Sequence, residues 1–292
     1  MGQGFEIALN TKGEKVSFVV DGSSDFLVWV DGVAAKDADG DLLHTLDKSS
    51  FIQVTGLSVG DHVIRVIKAD SSAKRATISA VVFDGTLLTT GTTADKSLYV
   101  EFVGDNSLMN GADVTATFAY QTASALDADY VITAWADADL ATGSHTVNTD
   151  YGFVNPFESD DTKKVSYGFD RKANAVVLSV GKNDTCEAAV FGQELANTIR
   201  TILQKNGTAT KIYFVYESAH PYKDVIVSTF ESLGGSASGL HTLELTGADQ
   251  GAYAAQLSEL IRTTVNATTA PVGASGIGTV VPWTNGVLVD PE

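Results

Sequence analysis

The chain has 292 residues, 44 % of them apolar, which is enough for two domains that each bury a hydrophobic core. It carries 36 acidic and 19 basic residues, a net charge of −17. Nucleic acids and anionic membranes require a basic surface, so this charge argues against both as partners. The single cysteine, Cys186, excludes an internal disulfide. No run of about 18 apolar residues occurs, so no membrane span is predicted.

Residues 1–6 lack the basic and apolar regions of a signal peptide. We therefore expect a cytoplasmic chain, or a secreted one whose signal has already been removed. The acidic surface is typical of simple solubility, and it also suits a crowded assembly or a cationic partner.

Residues 1–92 read as a domain of short strands. β-Branched and aromatic runs end at Asp-Gly turns, and no helical period of useful length appears. The pattern predicts an antiparallel β-sandwich, jelly-roll-like. The predicted strands are Lys15–Val20, Phe26–Val30, His62–Ile67 and Thr77–Phe83.

Residues 93–266 alternate between strands and helices. The run Ala175–Val180 is apolar throughout, which indicates a strand buried on both faces. The alternation predicts a flavodoxin-like α/β domain, with a parallel sheet covered by helices on both faces. The predicted strands are Ser97–Val103, Tyr130–Ala134, Ala175–Val180, Lys211–Tyr216 and Leu240–Leu245; the predicted helices are Ala116–Leu126, Glu187–Lys205, Tyr222–Leu233 and Gly251–Val265.

Residues 267–292 form a third segment, which holds three of the five prolines and shows no period. Such a segment is either disordered or an extended arm lying on a neighbouring chain. Trp283 and the apolar run Gly286–Val289 favour an arm. The tail is therefore a candidate for contact with protein partners or for self-assembly.

Ligands of an open parallel sheet bind beyond the carboxyl ends of its strands. Three predicted strand ends therefore decide function: Gly104–Ser107, Trp135–Asp139 and Gly181–Asp184. The segment Gly247–Tyr253, which opens the last helix, is the fourth.

At these positions the chain resembles the SGNH hydrolases, in the order strand-Gly-Asp and then strand-Gly-x-Asn-Asp. The front half is similar to the sandwich of two-domain acetyl-esterases, carbohydrate esterase family two, through Val28–Gly32 and Gly56–Arg65. The junction Val100–Asp105, reading Val-Glu-Phe-Val-Gly-Asp, also fits that family. The resemblance covers about residues 5–265 and implies a serine esterase fold.

The first block of the family places its nucleophilic serine directly after Gly-Asp, where this chain has Asn106 after Asp105. An amide cannot act as the nucleophile. Ser107 is next along and lies four residues before Gly111, a spacing that the family's serine also shows. A helix N-cap is the alternative role for Ser107, and the one that we favour.

The second and third blocks supply the family's oxyanion donors. Here the second block is Ala136–Asp139, whose two carboxylates would repel a developing oxyanion. The third block keeps Asn183 as a possible donor, with Lys182 in place of threonine. Asn183 and Asp184 could equally cap the helix that starts near Glu187.

The last block carries the family's Asp-x-x-His-Pro, and Gly247–Tyr253 contains no histidine. Without a general base, a serine stays a poor nucleophile at neutral pH. The run Glu217–Pro221 has similar spacing, but it follows the penultimate strand, one βα unit too early. We therefore expect His220 to be a polar loop residue rather than the base. The other histidines, His44, His62, His145 and His241, are no better placed.

Metal and cofactor signals are weak. Asp37–Asp41 clusters carboxylates like a calcium loop but lacks the distal glutamate, so a solvated turn is favoured. Cys186 is expected to pack rather than react. No Walker A, dinucleotide-binding or zinc motif occurs, so no cofactor and no metal are predicted.

The leading hypothesis is a pseudoenzyme, in which the esterase fold serves as a structural or binding component of a larger assembly. The first alternative is an active carbohydrate O-acetyl esterase that uses Ser107, Asn183 and His220. The second is a glycan-binding protein acting through the front sandwich. Trp29 and Trp135 would be its platform, although both are expected in cores.

Overall fold

The computed structural model describes residues 4–37, 39–69, 76–88, 96–108, 114–134, 138–143, 146–153, 164–247 and 249–265. The chain divides into two compact units between Ala94 and Asp95. They are called the front unit and the second unit below.

The front unit is a seven-stranded antiparallel sheet that curls around one core. Its path runs β3-β2-β6-β1-β5, with β4 paired to β2 and β7 paired to β1. The all-β prediction is confirmed. The strands are β1 (Gly4–Gly22), β2 (Ser24–Val30), β3 (Val33–Ala34), β4 (Leu43–Leu46), β5 (Ser50–Thr55), β6 (Gly60–Lys68) and β7 (Ala76–Leu87).

Strand β1 is 19 residues long and joins the sheet together. On one side its first part pairs with β6 and its second part with β5, and on the other side β7 pairs with both parts. Alternate residues of these strands, including Phe18, Ile52 and Ile64, fill the core. The sequence predicted only the second part of β1, because Asn10–Glu14 is too polar to indicate a strand interior.

The second unit contains a five-stranded parallel sheet in the order β12-β11-β10-β8-β9. Numbered from β8 this is the order 2-1-3-4-5, so the flavodoxin-like prediction is confirmed. Its strands are β8 (Tyr99–Gly104), β9 (Asp129–Ala134), β10 (Ala175–Ser179), β11 (Lys211–Glu217) and β12 (Leu240–Leu245). Its helices are α1 (Phe118–Ala125), α2 (Val147–Asp150), α3 (Ala188–Asn206), α4 (Lys223–Ser232) and α5 (Gln250–Thr264).

The helices pack in two groups, α1 with α5 and α2 with α3 and α4. Every residue of β10 is buried, as expected of a central strand covered on both faces. Helix α3 places Phe191, Leu195, Ile199 and Ile202 in the core at helical spacing. Val190, which precedes Phe191 in this helix, is 47 % exposed.

Two further predictions concern membrane-spanning segments and the C-terminal tail. Among the described helices, none is long and apolar enough to cross a membrane. The predicted tail, 267–292, lies outside the described residues.

Candidate functional site

A cavity of about 380 Å³ opens at the carboxyl edge of the parallel sheet. Side chains from the ends of β8, β10, β11 and β12 line it, together with residues of α1 and α5. Binding sites of open α/β sheets form at this edge. The lining residues are Asp105, Asn106, Ser107, Phe118, Ser179, Val180, Lys182, Asn183, Val215, Tyr216, Glu217, His220, Leu245, Gln250 and Tyr253. All five candidate site residues of the sequence are therefore brought together.

The end of β8 is held tightly against the end of β10. The backbone N–H of Asp105 donates to the carbonyl oxygen of Ser179 at 3.0 Å. A Cβ on Gly104 would lie 1.9 Å from the same oxygen, so this position requires glycine. The chain leaves the sheet here and enters a short 3₁₀ helix, Asn106–Leu108.

Asp105 caps this turn. Its Oδ1 accepts the backbone N–H of Ser107 at 2.8 Å. An N-cap by Ser107 would engage residues 109 and 110, which lie outside the described residues. Asp105 is only 4 % exposed, and this burial raises the pKa of its carboxyl group, while the bonds from Ser107 oppose the shift.

The hydroxyl of Ser107 is paired with another hydroxyl. Its Oγ lies 2.6 Å from Ser179 Oγ and 3.3 Å from the Ser179 carbonyl oxygen. Neither partner can take a proton at neutral pH, because a serine hydroxyl and a carbonyl oxygen are both very weak bases. Ser179 was not predicted as a site residue. Its position at the last residue of β10 was the signal that pointed to it.

His220 lines the cavity but turns both ring nitrogens to the backbone. Nε2 lies 3.2 Å from the carbonyl oxygen of Val180, and Nδ1 accepts the N–H of Tyr222 at 3.2 Å. Because a carbonyl only accepts, Nε2 carries the proton of a neutral ring. Burial lowers the pKa of His220, against the opposing effects of Val180 and the Asp105 charge. His220 lies in the loop between β11 and α4, as expected, but it is buried, with 7 % of its surface exposed.

The turn after β10 holds a surface ion pair. Lys182 Nζ lies 3.2 Å from Glu217 Oε2 at the rim of the cavity, and both side chains are about half exposed. Asn183 follows on the same turn, exposed and lining the cavity. An amide at this point could donate to a bound ligand.

One alternative from the sequence was that Asp184 caps α3, and this is wrong. The N-cap of α3 is Glu187, which makes no side-chain capping bond. Asp184 instead accepts the backbone N–H groups of Leu140, Ala141 and Thr142 at 2.7 to 2.9 Å, and it fixes the segment that follows β9. This contact joins residues more than 40 positions apart, so local sequence gives no signal for it.

The remaining blocks are only partly described. Residues Trp135, Ala136 and Asp137 of the second block, and Gly111 and His145, lie outside the described residues. In the last block, Asp249 caps α5 by accepting the N–H of Ala252 at 2.8 Å. Gln250 then faces the cavity, and its Oε1 accepts the N–H of Phe118 at 2.9 Å.

The weak metal and cofactor signals of the sequence correspond to local structure. Asp37 Oδ1 accepts the N–H groups of Asp39 and Asp41 at 2.9 and 2.8 Å, which is an Asx-type turn. In the described part of the chain, no group of His, Cys, Asp and Glu side chains is arranged to hold a metal ion. Cys186 packs partly buried against the core of the second unit.

Trp29 is not the core residue that its apolar run indicated. It is half-buried, whereas its β2 neighbours Val28 and Val30 pack into the core of the front unit. Because side chains alternate along a strand, Trp29 lies on the opposite face of β2.

No family model and no curated protein sequence matches the chain. Solved structures do match. A family two carbohydrate esterase from Clostridium thermocellum, in complex with cellohexaose, aligns with a TM-score of 0.75 at 16 % identity over 90 % of this chain and 92 % of that one. An acetyl xylan esterase from the rumen bacterium Butyrivibrio proteoclasticus has a TM-score of 0.74 at 12 % identity, over 91 % and 90 %.

A third similar structure is a carbohydrate esterase whose active site is described as having divergent catalytic and non-catalytic binding functions. It aligns with a TM-score of 0.67 at 13 % identity, over 89 % of this chain and 88 % of that one. At these identities the likeness establishes the fold. The chain has the two-domain fold of the family two carbohydrate esterases.

Proposed function

We propose that this chain is a non-hydrolytic protein of the esterase fold, whose cavity binds rather than cleaves and which serves as a structural or binding component of a larger assembly. The observation that carries the proposal is the pairing of Ser107. Its hydroxyl bonds to Ser179, while both nitrogens of His220 bond to the backbone.

Ester hydrolysis by serine needs a base that removes the hydroxyl proton. For His220 to do so, Nε2 would have to give up its proton and its bond to Val180, and the ring would have to turn towards Ser107. Burial also lowers the pKa of the ring, which weakens it as a base. Asn106, at the position that follows Gly-Asp, carries an amide, whose nitrogen lone pair is delocalised into the carbonyl and is therefore a poor nucleophile.

Binding requires less of the same cavity. Hydroxyl and amide groups of Ser107, Asn183 and Gln250 line it beside the aromatic rings of Tyr216 and Tyr253. A concave site that mixes aromatic faces with a few polar groups is typical of small-molecule binding. The similar esterase with non-catalytic binding functions shows that this fold can host such a role elsewhere. A glycan is therefore the first ligand class to test.

The decisive experiment compares the full chain with Ser107→Ala on p-nitrophenyl acetate and on acetylated xylo- and cello-oligosaccharides. We expect the two proteins to give equal rates at the level of buffer alone. Ser179→Ala is the matched control, because it removes the partner hydroxyl and leaves Ser107 in place. Turnover that Ser107→Ala abolishes would make the chain an active esterase and would refute the proposal.

Binding is measured separately, by calorimetry with the same sugars after deacetylation. We expect the unmodified chain to give a measurable heat of binding with these sugars. Tyr253→Ala removes an aromatic face from the cavity, so we expect that heat to be lost in this variant. If binding persists in Tyr253→Ala and is lost in Trp29→Ala, glycan recognition belongs to the front unit.

A further inference from the structure

A second cluster of serine, histidine and aspartate lies in the front unit. His62, near the start of β6, is 8 % exposed. Its Nδ1 lies 2.7 Å from Asp31 Oδ2, and its Nε2 lies 3.4 Å from Ser58 Oγ. These are the three residue types of a hydrolase triad, in which Nε2 is unprotonated and accepts the serine proton.

Nε2 of His62 has a closer partner than the Ser58 hydroxyl. The backbone carbonyl oxygen of Ser58 lies 2.9 Å away, and a carbonyl can only accept. Nδ1 faces a carboxylate oxygen, which also accepts. Both ring nitrogens therefore carry hydrogen, and the ring is an imidazolium rather than a base.

Asp31 is held so that its carboxylate remains an acceptor. Its Oδ1 accepts the N–H of Val63 at 2.8 Å, and its own N–H donates to the Val63 carbonyl oxygen at 2.8 Å. The residue has a φ of 52°, a left-handed conformation at the turn between β2 and β3. Burial would raise the pKa of Asp31, but the bonds from Val63 and His62 hold it below its usual value.

We propose that His62 is a proton-dependent clamp: its imidazolium joins the β2–β3 turn at Asp31 to the β5–β6 turn at Ser58, and this end of the front unit loosens when the ring becomes neutral. The charged groups near the ring are Asp31 and Asp61. Asp61 accepts from Asn10 of β1 at 2.6 Å, and the β1 residue opposite His62 is Leu9.

The pH dependence follows from the sign of the shift. The bond to Asp31 raises the pKa of His62, which burial alone would lower. Stabilisation by the clamp is therefore complete below the usual histidine pKa of 6.5 and is lost as the pH rises through the higher folded value.

The first test is a pH titration of the ring by long-range ¹H–¹⁵N NMR on the full chain. We expect both His62 nitrogens to be protonated at pH 6.5 and the midpoint to lie above it. Asp31→Asn keeps a residue that tolerates positive φ and removes the charge, so the proton affinity of His62 should fall by roughly tenfold or more. A neutral ring at pH 6.5 in the unmodified chain would overturn the clamp.

The second test is hydrogen–deuterium exchange of the segments 28–36 and 56–66 in the full chain, corrected for intrinsic rates, between pH 6 and 9. Protection should fall as His62 deprotonates, and it should be low throughout in Asp31→Asn. Ser58→Ala should behave like the unmodified chain, because the acceptor is the carbonyl. His44→Gln, which changes the other histidine of the front unit, is the matched control.

The triad alternative has its own readout. A fluorophosphonate probe labels serines that are activated by a neutral histidine. No labelling of Ser58 is expected. Labelling that Ser58→Ala abolishes would show that Nε2 acts as a base, and it would refute the clamp without bearing on the cavity of the second unit.

Discussion

Among the described histidines, His220 is the one that lines the cavity and could stand as a catalytic base, and it is also a structural residue. Its ring joins the carbonyl of Val180, after β10, to the N–H of Tyr222, before α4. The sequence indicated His220 because Glu217–Pro221 has a spacing similar to the family's Asp-x-x-His-Pro, although this run lies one βα unit before the family's position. The fold nevertheless brings it to the cavity, because β10 and β11 are neighbours in the parallel sheet.

His220→Ala should reduce the free energy of unfolding by about 3 kcal/mol, because it opens a cavity and leaves two buried backbone groups without partners. Ester hydrolysis should stay at the background level. Urea unfolding at pH 7.5 measures the first effect, and Ser107→Ala, expected to cost about 1 kcal/mol, is the control. A large stability loss with Ser107→Ala and none with His220→Ala would contradict this assignment.

The same variant has a distinct pH signature. Burial lowers the pKa of His220 in the fold, so the unfolded chain binds its proton first as the pH falls below the usual value of 6.5. The unmodified chain should therefore lose stability on acidification through this window. His220→Ala should lack that contribution, which the difference between the two urea titrations at pH 7.5 and pH 5.5 reports.

At the scale of elements, Glu101 joins four parts of the second unit from the middle of β8. The hydroxyls of Tyr99, Tyr151 and Tyr167 and the amide of Asn206 donate to its carboxylate. Glu101 is 3 % exposed, and this burial raises its pKa against the lowering effect of the donors.

Glu101→Gln should change how stability depends on pH. With a raised folded pKa, the contribution of Glu101 is complete at low pH and is lost as the pH rises through the folded value. The glutamine variant should lack this loss in urea titrations between pH 4 and 8. Tyr167→Phe removes one donor to the carboxylate and should deepen the loss. A steeper profile for Glu101→Gln than for the unmodified chain would show the opposite sign.

Asp184 organises a second element contact, between the turn after β10 and residues 140–142. Asp184→Asn replaces an accepting oxygen with a donor that faces backbone N–H groups. We expect it to cost about 3 kcal/mol, whereas Asn183→Ala, one residue earlier and exposed, should cost less than about 0.5 kcal/mol. Denaturant midpoints of the two variants test this directly, and equal midpoints would remove Asp184 from this role.

At the scale of the whole molecule, the strands and helices could be predicted from the sequence, whereas the contacts between them could not. Periods of two and of 3.6 residues predicted both units and nine of the ten described strands and α-helices of the second unit, the four-residue α2 being the exception. These periods could not predict the contacts that define the site. Ser107 meets Ser179 across 72 residues and Asp184 meets Leu140 across 44, distances over which only the assembled sheet determines the neighbours.

The charge of −17 acts on the molecule as a whole. Repulsion among 36 acidic residues opposes the compact state, and salt screens exposed charges over a Debye length of about 10 Å at 0.1 M. We expect the thermal midpoint at pH 7.5 to rise by several degrees between 10 and 300 mM NaCl. Near the pI of about 4.5 the net charge vanishes, so the same addition of salt should have little effect there. A midpoint that falls with salt at pH 7.5 would mean that specific ion pairs, such as Arg171 with Asp129, outweigh the general repulsion.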